Sequence, residues 1–247
     1  VVDSATLESV GVIRDLPSPR YLQPTRDGRG YVSTFTQADS SELSIVSLNG
    51  LQKTGSIRTG GWTGNMTRAA GRIWVPAVKA GWLLAVDPAT DAVTDTVKLR
   101  VEVQQVVRDA EDQLWALGNG GIDDSVVPAL YRIDPEDGKV TQTLSFSSKD
   151  ESPGNLTLNG SRDTLYYTNQ GIYRMPIQRT QLPQTPVVEA QNRSFYGLSI
   201  DPEQGDIYAS DALDFVQNGE VYRFEQADGQ LIHQFEGGII PRDFVFP

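Results

Sequence analysis

The chain has 247 residues with 32 acidic against 21 basic side chains, a net charge of −11 and a sequence pI near 4.5, which disfavours polyanions and anionic membrane surfaces as partners. Cysteine is absent, so disulfides, thiolate metal sites and cysteine nucleophiles are excluded. Hydrophobic residues make up 38%, and 23 Gly with 14 Pro break the chain too often for long helices.

Residues 1–13 read as the third and fourth strands of a repeat unit, because Val2-Asp3-Ser4-Ala5-Thr6 matches Val86-Asp87-Pro88-Ala89-Thr90. From there one four-strand pattern recurs. An apolar anchor marks each first strand: Leu22, Met66, Val106, Leu156 and Leu198. The second strand pairs a small apolar residue with an aromatic, as Ile73-Trp74, Leu114-Trp115, Leu165-Tyr166 and Ile207-Tyr208, with Tyr31-Val32 a degenerate copy. The second members of these pairs lie 42, 41, 51 and 42 residues apart. Third strands follow at 43–46, 83–86, 130–133, 172–175 and 221–224. Two of them enter Asp-Pro dipeptides, Asp87-Pro88 and Asp134-Pro135, which suit a type I turn. Fourth strands fall at 93–99, 140–146 and 231–235, and simple alternation puts Val140, Gln142 and Leu144 on one face. The last segment, 239–246, reads as one more first strand, with Phe244 as its anchor.

Four short strands per ~44 residues is the unit of a propeller blade. A β-sandwich also spaces its strands evenly, but it does not repeat the same four-strand grammar five times. The expected fold is therefore all-β: one β-propeller domain over 1–247, with five complete antiparallel blades starting near 19, 61, 101, 152 and 193. Residues 239–246 are expected to form the innermost strand of the blade whose outer strands are 1–13, since both are otherwise unpaired edges. The chain is then expected to begin in the third strand of a blade, N-terminally incomplete. Trp74, Trp115, Tyr166 and Tyr208 should pack between neighbouring blades.

The runs Ser18-Pro19-Arg20-Tyr21, Gly60-Gly61-Trp62-Thr63, Phe195-Tyr196-Gly197, Gly205-Asp206-Ile207-Tyr208 and Gly238-Ile239-Ile240-Pro241 resemble the YncE-like surface propellers of Bacteroidota. Arg242-Asp243 departs from the usual pattern, which has small residues there. The resemblance implies seven blades in the intact protein and a secreted lipoprotein, anchored to the outer membrane at the cell surface or lying in the periplasm. One branch, the BtuG type, captures cobalamin for a TonB-dependent outer-membrane transporter. It implies a corrinoid as transported ligand, that transporter as partner, no catalysis and no required cofactor.

Little in the sequence points to catalysis. The single histidine, His233, falls in a predicted outermost strand, so a serine triad and a multi-histidine zinc site are excluded by count. Asp123-Asp124 and Asp211/Asp214 could offer oxygen ligands to calcium, but read better as solvated loop carboxylates. Glu102 and Glu151 have no partner in sequence. Gly118-Asn119-Gly120-Gly121 lacks the strand–helix setting of a phosphate cradle.

Superposing the repeats gathers a different set. Residues just before each first-strand anchor face one end of the ring: Arg20-Tyr21, Gly64-Asn65, Gln104-Gln105, Gly154-Asn155, Tyr196-Gly197 and Arg242-Asp243. The loops 35–42, 79–82, 119–127, 169–171 and 211–219 reach the same end. The candidate ligand-binding residues are thus Arg20, Tyr21, Trp62, Asn65, Trp82, Gln104, Gln105, Asn119, Asn155, Tyr196 and Arg242. Amide edges with aromatic faces suit a large neutral ligand. The same amides could instead hold blades together. Besides ligand capture, an interaction scaffold for a protein or glycan and a metal-dependent lactonase remain open.

Overall fold

A computed structural model describes the chain except residues 4, 7, 35–40, 121–125 and 247. Its described residues form five four-stranded antiparallel sheets, each pairing strands in chain order. Blade 1 holds β1 (Pro19–Pro24), β2 (Arg29–Thr34), β3 (Glu42–Ser47) and β4 (Gln52–Arg58). Blade 2 holds β5 (Thr67–Ala69), β6 (Arg72–Ala77), β7 (Trp82–Asp87) and β8 (Ala92–Lys98). Blade 3 holds β9 (Val103–Arg108), β10 (Leu114–Gly118), β11 (Ala129–Asp134) and β12 (Lys139–Ser145). Blade 4 holds β13 (Gly154–Leu158), β14 (Thr164–Thr168), β15 (Gly171–Pro176) and β16 (Val188–Glu189). Blade 5 holds β17 (Phe195–Ile200), β18 (Ile207–Asp211), β19 (Asn218–Phe224) and β20 (Leu231–Ile239). The only helical element described is a 3-10 turn at Val78–Ala80. Blade 2 begins at 67 rather than near 61 because residues 61–66 make only the single bridge Thr63–Ala77.

The core lies between blades. One apolar cluster joins Tyr31, Leu43 and Ile45 of blade 1 to Ile73, Leu84 and Val86 of blade 2. A second sets Trp74 and Leu83 against Val106, Leu114 and Ile133. A third sets Trp115 and Leu130 against Leu156, Leu165 and Met175, and a fourth sets Tyr166 and Ile172 against Leu198, Ile207 and Phe224. Strand alternation sends successive side chains into the two interfaces of a blade. This explains why β2, β6 and β10 are buried almost throughout while β4 and β12 are mostly exposed.

Interface packing buries three of the four predicted inter-blade aromatics fully: Trp74, Trp115 and Tyr166. Tyr208 departs from the expectation and is only partly buried. Among the described residues its ring meets no sixth sheet; it packs on the rings of Phe244 and Phe246 at 5.8 and 5.3 Å and under the Arg223 guanidinium at 5.8 Å. Leu22 at the other end of the arc is 53% exposed for the same reason, whereas Met66, Val106, Leu156 and Leu198 are buried.

Local hydrogen bonding sets the turns. Asp87 Oδ1 accepts the Ala89 N–H and Asp134 Oδ1 accepts the Glu136 N–H. Asp3 does the same for Ala5 and Thr6, and Val2 bridges Ser9, so the match between the N-terminal residues and the Asp87 hairpin is one of structure. The proposed face shared by Val140 and Leu144 does not exist. A one-residue bulge leaves Thr141 unpaired, with Ile133 opposite Val140 and Arg132 opposite Gln142. Val140 therefore lies with Ile133 towards blade 2, and Leu144 with Leu130 towards blade 4. The same bulge falls at Thr54 and Thr94. At each site the threonine hydroxyl donates back to a third-strand carbonyl: Ile45, Ala85 and Arg132.

The expected closure strand is also absent. Ile239 ends β20, and among the described residues no ladder pairs 240–246 with 1–13. The segment instead lies against the inner end of blade 5, where the Ser210 hydroxyl donates to the Pro241 carbonyl at 2.6 Å. Gly197 has no room for a side chain there, since a Cβ would sit 2.0 Å from the Arg242 carbonyl oxygen.

Candidate functional site at the axial mouth

Each first strand carries one extra residue at the same end. Pairing slips by one between Pro19 and Tyr21, between Val103 and Gln105, between Gly154 and Thr157, and between Phe195 and Gly197. In blade 2 the slip lies between Thr63 and Thr67. Arg20, Gln104 and Tyr196 are therefore bulge residues, and Asn155 adopts φ +52 within its bulge. A bulge turns its side chain away from the regular alternation and can aim it along the ring axis. The copies of blades 1, 3, 4 and 5 converge on one mouth.

The cavity there measures about 340 Å³. Eight of the eleven predicted residues line it: Arg20, Tyr21, Gln104, Gln105, Asn119, Asn155, Tyr196 and Arg242. Phe195 and Thr168 line it too and were missed. Phe195 adjoins the recognised Tyr196, while Thr168 has no sequence signal beyond closing a second strand. A deeper cavity of about 240 Å³ continues between the first strands and includes Asn65, Gln105, Asn155 and Asp243.

The predicted residues divide by role. Asn65 takes the Val106 N–H at 2.7 Å and donates to the Val106 carbonyl at 3.2 Å, clamping blade 2 to blade 3. Gln105 accepts the Leu156 N–H at 2.7 Å, joining blades 3 and 4. Asn155 donates to the Phe195 carbonyl at 3.2 Å, joining blades 4 and 5. These three hold the ring together, each satisfying backbone of the next inner strand. Gln104 and Asn119, bonded to each other at 3.3 Å on the surface, are free to exchange that bond for a ligand. Arg242 donates to the Tyr21 hydroxyl at 2.6 Å, and its guanidinium sits 5.7 and 5.6 Å from the Tyr21 and Tyr196 ring centres. It thereby ties blade 1 to blade 5 across the mouth.

Trp62 and Trp82 do not belong to this cavity. Lys79 lies over the Trp62 ring at 4.6 Å, and Trp82 packs against the core between blades 1 and 2. Trp62 precedes β5 and Trp82 opens β7, and neither side chain lines the cavity.

The remaining carboxylates are committed elsewhere. Asp211 accepts the Ser194 and Leu213 N–H groups, and Asp214 those of Val216 and Gln217, bonds that hold the Asp214 carboxyl below its ordinary range. Asp123 and Asp124 lie outside the described residues. Glu151 borders a separate groove of about 540 Å³ between blades 3 and 4. Burial opposes its charge, but bonds from Ser147, Asn169 and Ser148 outweigh that and lower its pKa. Among the described residues no three His, Asp or Glu side chains come together as a metal site. His233 lies in β20, exposed and near Phe235.

No protein-family model matches the chain, and no curated protein matches it in sequence. Solved structures do match. A Bacteroides fragilis protein provisionally named a 6-phosphogluconolactonase shares 15% identity and a TM-score of 0.74, over 100% of this chain and 79% of that one. A Bacteroides uniformis protein of the same provisional name gives 15% and 0.73, over 94% and 76%. Kuenenia stuttgartiensis hydrazine synthase gives 13% and 0.73, over 97% and 80%. At these identities the likeness is one of fold.

Proposed function

We propose that this protein is a non-enzymatic capture protein that holds a small molecule at the axial mouth. The observation that carries this reading is the convergence of bulge residues from blades 1, 3, 4 and 5, with Arg242, on one polar and aromatic cavity. Preformed loops on a ring lower the ordering cost of binding. The favoured ligand is a corrinoid, the partner a TonB-dependent outer-membrane transporter, and the location the bacterial surface; all three rest on the sequence resemblance. A cavity of about 340 Å³ admits only an edge of so large a molecule, whose macrocycle would lie across the rim over Gln104 and Asn119. Calorimetry with cobalamin tests this. Replacing Tyr21 or Tyr196 with Ala should weaken binding by roughly 1–3 kcal/mol. Absence of binding, or binding indifferent to both substitutions, refutes it.

An enzymatic reading is favoured by one observation, the fold likeness to two structures provisionally named 6-phosphogluconolactonases. Lactone hydrolysis calls for a group that moves a proton. The described lining of the mouth offers Arg and Tyr but no carboxylate or imidazole, and Asp243 sits in the deeper cavity. Lactone turnover abolished by Asp243→Asn would establish this reading over capture.

A further inference from the structure

We infer that the mouth receives an anionic group, a carboxylate or phosphate carried on a flat ring, and that Arg20 and Arg242 are its receptors. This deepens the reading of the mouth as a ligand site and rests on it. It also revises the neutral ligand expected from the amide-rich repeat positions. Acidic residues outnumber basic ones 32 to 21 in the chain, yet the only charged side chains among the described residues lining the cavity are these two arginines. The local charge is opposite to that of the protein as a whole, so an anion meets attraction there and repulsion over most of the remaining surface.

The arginines are also uncommitted. Arg29, Arg108, Arg132 and Arg223 each face a carboxylate within 4.0 Å. Arg242 faces none among the described residues; there its side chain donates to the neutral Tyr21 hydroxyl. Asp243 beside it is exposed and forms no ion pair with it. Guanidinium carries five N–H donors, so most of the Arg242 fork is available for bidentate bonding to a carboxylate or phosphate. The Tyr21 and Tyr196 rings already hold it in place, which reduces the side-chain entropy lost on binding. Arg20 is exposed on the same lining and its side chain bonds no described residue. Phe195, Tyr21 and Tyr196 supply the apolar faces for a ring.

The test is an NMR titration of the full chain with phenyl phosphate, benzoate, inorganic phosphate and benzyl alcohol, following the Arg242 Nε–H and the Tyr21 and Tyr196 ring signals. Phenyl phosphate or benzoate should bind at least about tenfold more tightly than benzyl alcohol, as charge-assisted bonds predict. The comparison of these two identifies the preferred anion, and inorganic phosphate isolates the ring's contribution. Raising NaCl from about 20 to about 300 mM should weaken binding severalfold. Arg242→Gln should cost about tenfold and Arg242→Lys less. Arg20→Gln, at a bond-free exposed position, should keep the fold and still lose about threefold. If benzyl alcohol binds at the mouth as well as the anions do, the inference falls while the mouth remains a ligand site. If anions shift only signals elsewhere, or none of the four shifts the mouth at about 10 mM, the mouth reading falls with it.

Discussion

Removing the Asn65 amide should loosen the ring more than removing any neighbouring rim side chain. Asn65 satisfies both backbone groups of Val106, at 2.7 and 3.2 Å, and Val106 is 1% exposed. In Asn65→Ala those groups lose their partners where water enters poorly. A buried unsatisfied backbone group costs about 1–3 kcal/mol, so the pair should cost about 2–4 kcal/mol, a large share of the 5–15 kcal/mol that holds a typical domain. Urea unfolding followed by tryptophan fluorescence reads this directly, since Trp74 is fully buried in that interface and Trp115 on the opposite face of blade 3. The midpoint should fall by about 1 M. Gln104→Ala is the control: Gln104 is exposed and, among the described residues, its side chain bonds only Asn119, so its loss should stay within about 0.5 kcal/mol. If Asn65→Ala unfolds at the same urea concentration as Gln104→Ala, the assignment of Asn65 as an inter-blade clamp is wrong.

Asp109 is fully buried and accepts the Trp115 indole N–H at 2.8 Å and the Glu111 and Gln113 N–H groups at 2.9 Å. Asp109→Ala should therefore destabilise by about 3–5 kcal/mol, seen as a large drop in thermal midpoint; a drop equal to that of an exposed site such as Asp112→Ala would contradict it. Ala70 and Gly71 both have positive φ, +48 and +73, the geometry of a type I′ hairpin turn. Ala70→Asn should stabilise by about 0.5–1 kcal/mol, and a lower midpoint would refute that turn reading. Because its bonds depress the Glu151 pKa in the folded state, its stabilising effect is present above the ordinary carboxyl range and fades as pH falls through the lower folded value. Glu151→Gln should therefore be less stable than the native chain at pH 7, and the difference should shrink on acidification; a pH-independent difference would count against the bonding shown.

The blade count, the strand order and the inter-blade burial of Trp74, Trp115 and Tyr166 were legible in the sequence, because alternation and turn chemistry act over a few residues and the repeat displays them five times. The residues of the mouth were legible for a related reason: equivalent positions of a repeat must face the same way around an axis, so Arg20, Gln104, Tyr196 and Arg242 could be gathered without coordinates. Strand period alone could not reveal the bulges. The extra residue at Thr141 sends Val140 and Leu144 to opposite interfaces, and alternation fails wherever a strand carries one more residue than its partner. Nor could a one-dimensional pattern tell clamp from receptor. Asn65 and Gln104 look alike as rim amides, but only the packed blades bring Val106 onto Asn65 and leave Gln104 on the surface. Tyr208 and residues 240–246 depended on what lay across from them, a matter of tertiary neighbours. The charge of the mouth was decided in the same way: a chain of net charge −11 gathers two arginines and no described carboxylate at one point only when distant blades meet there.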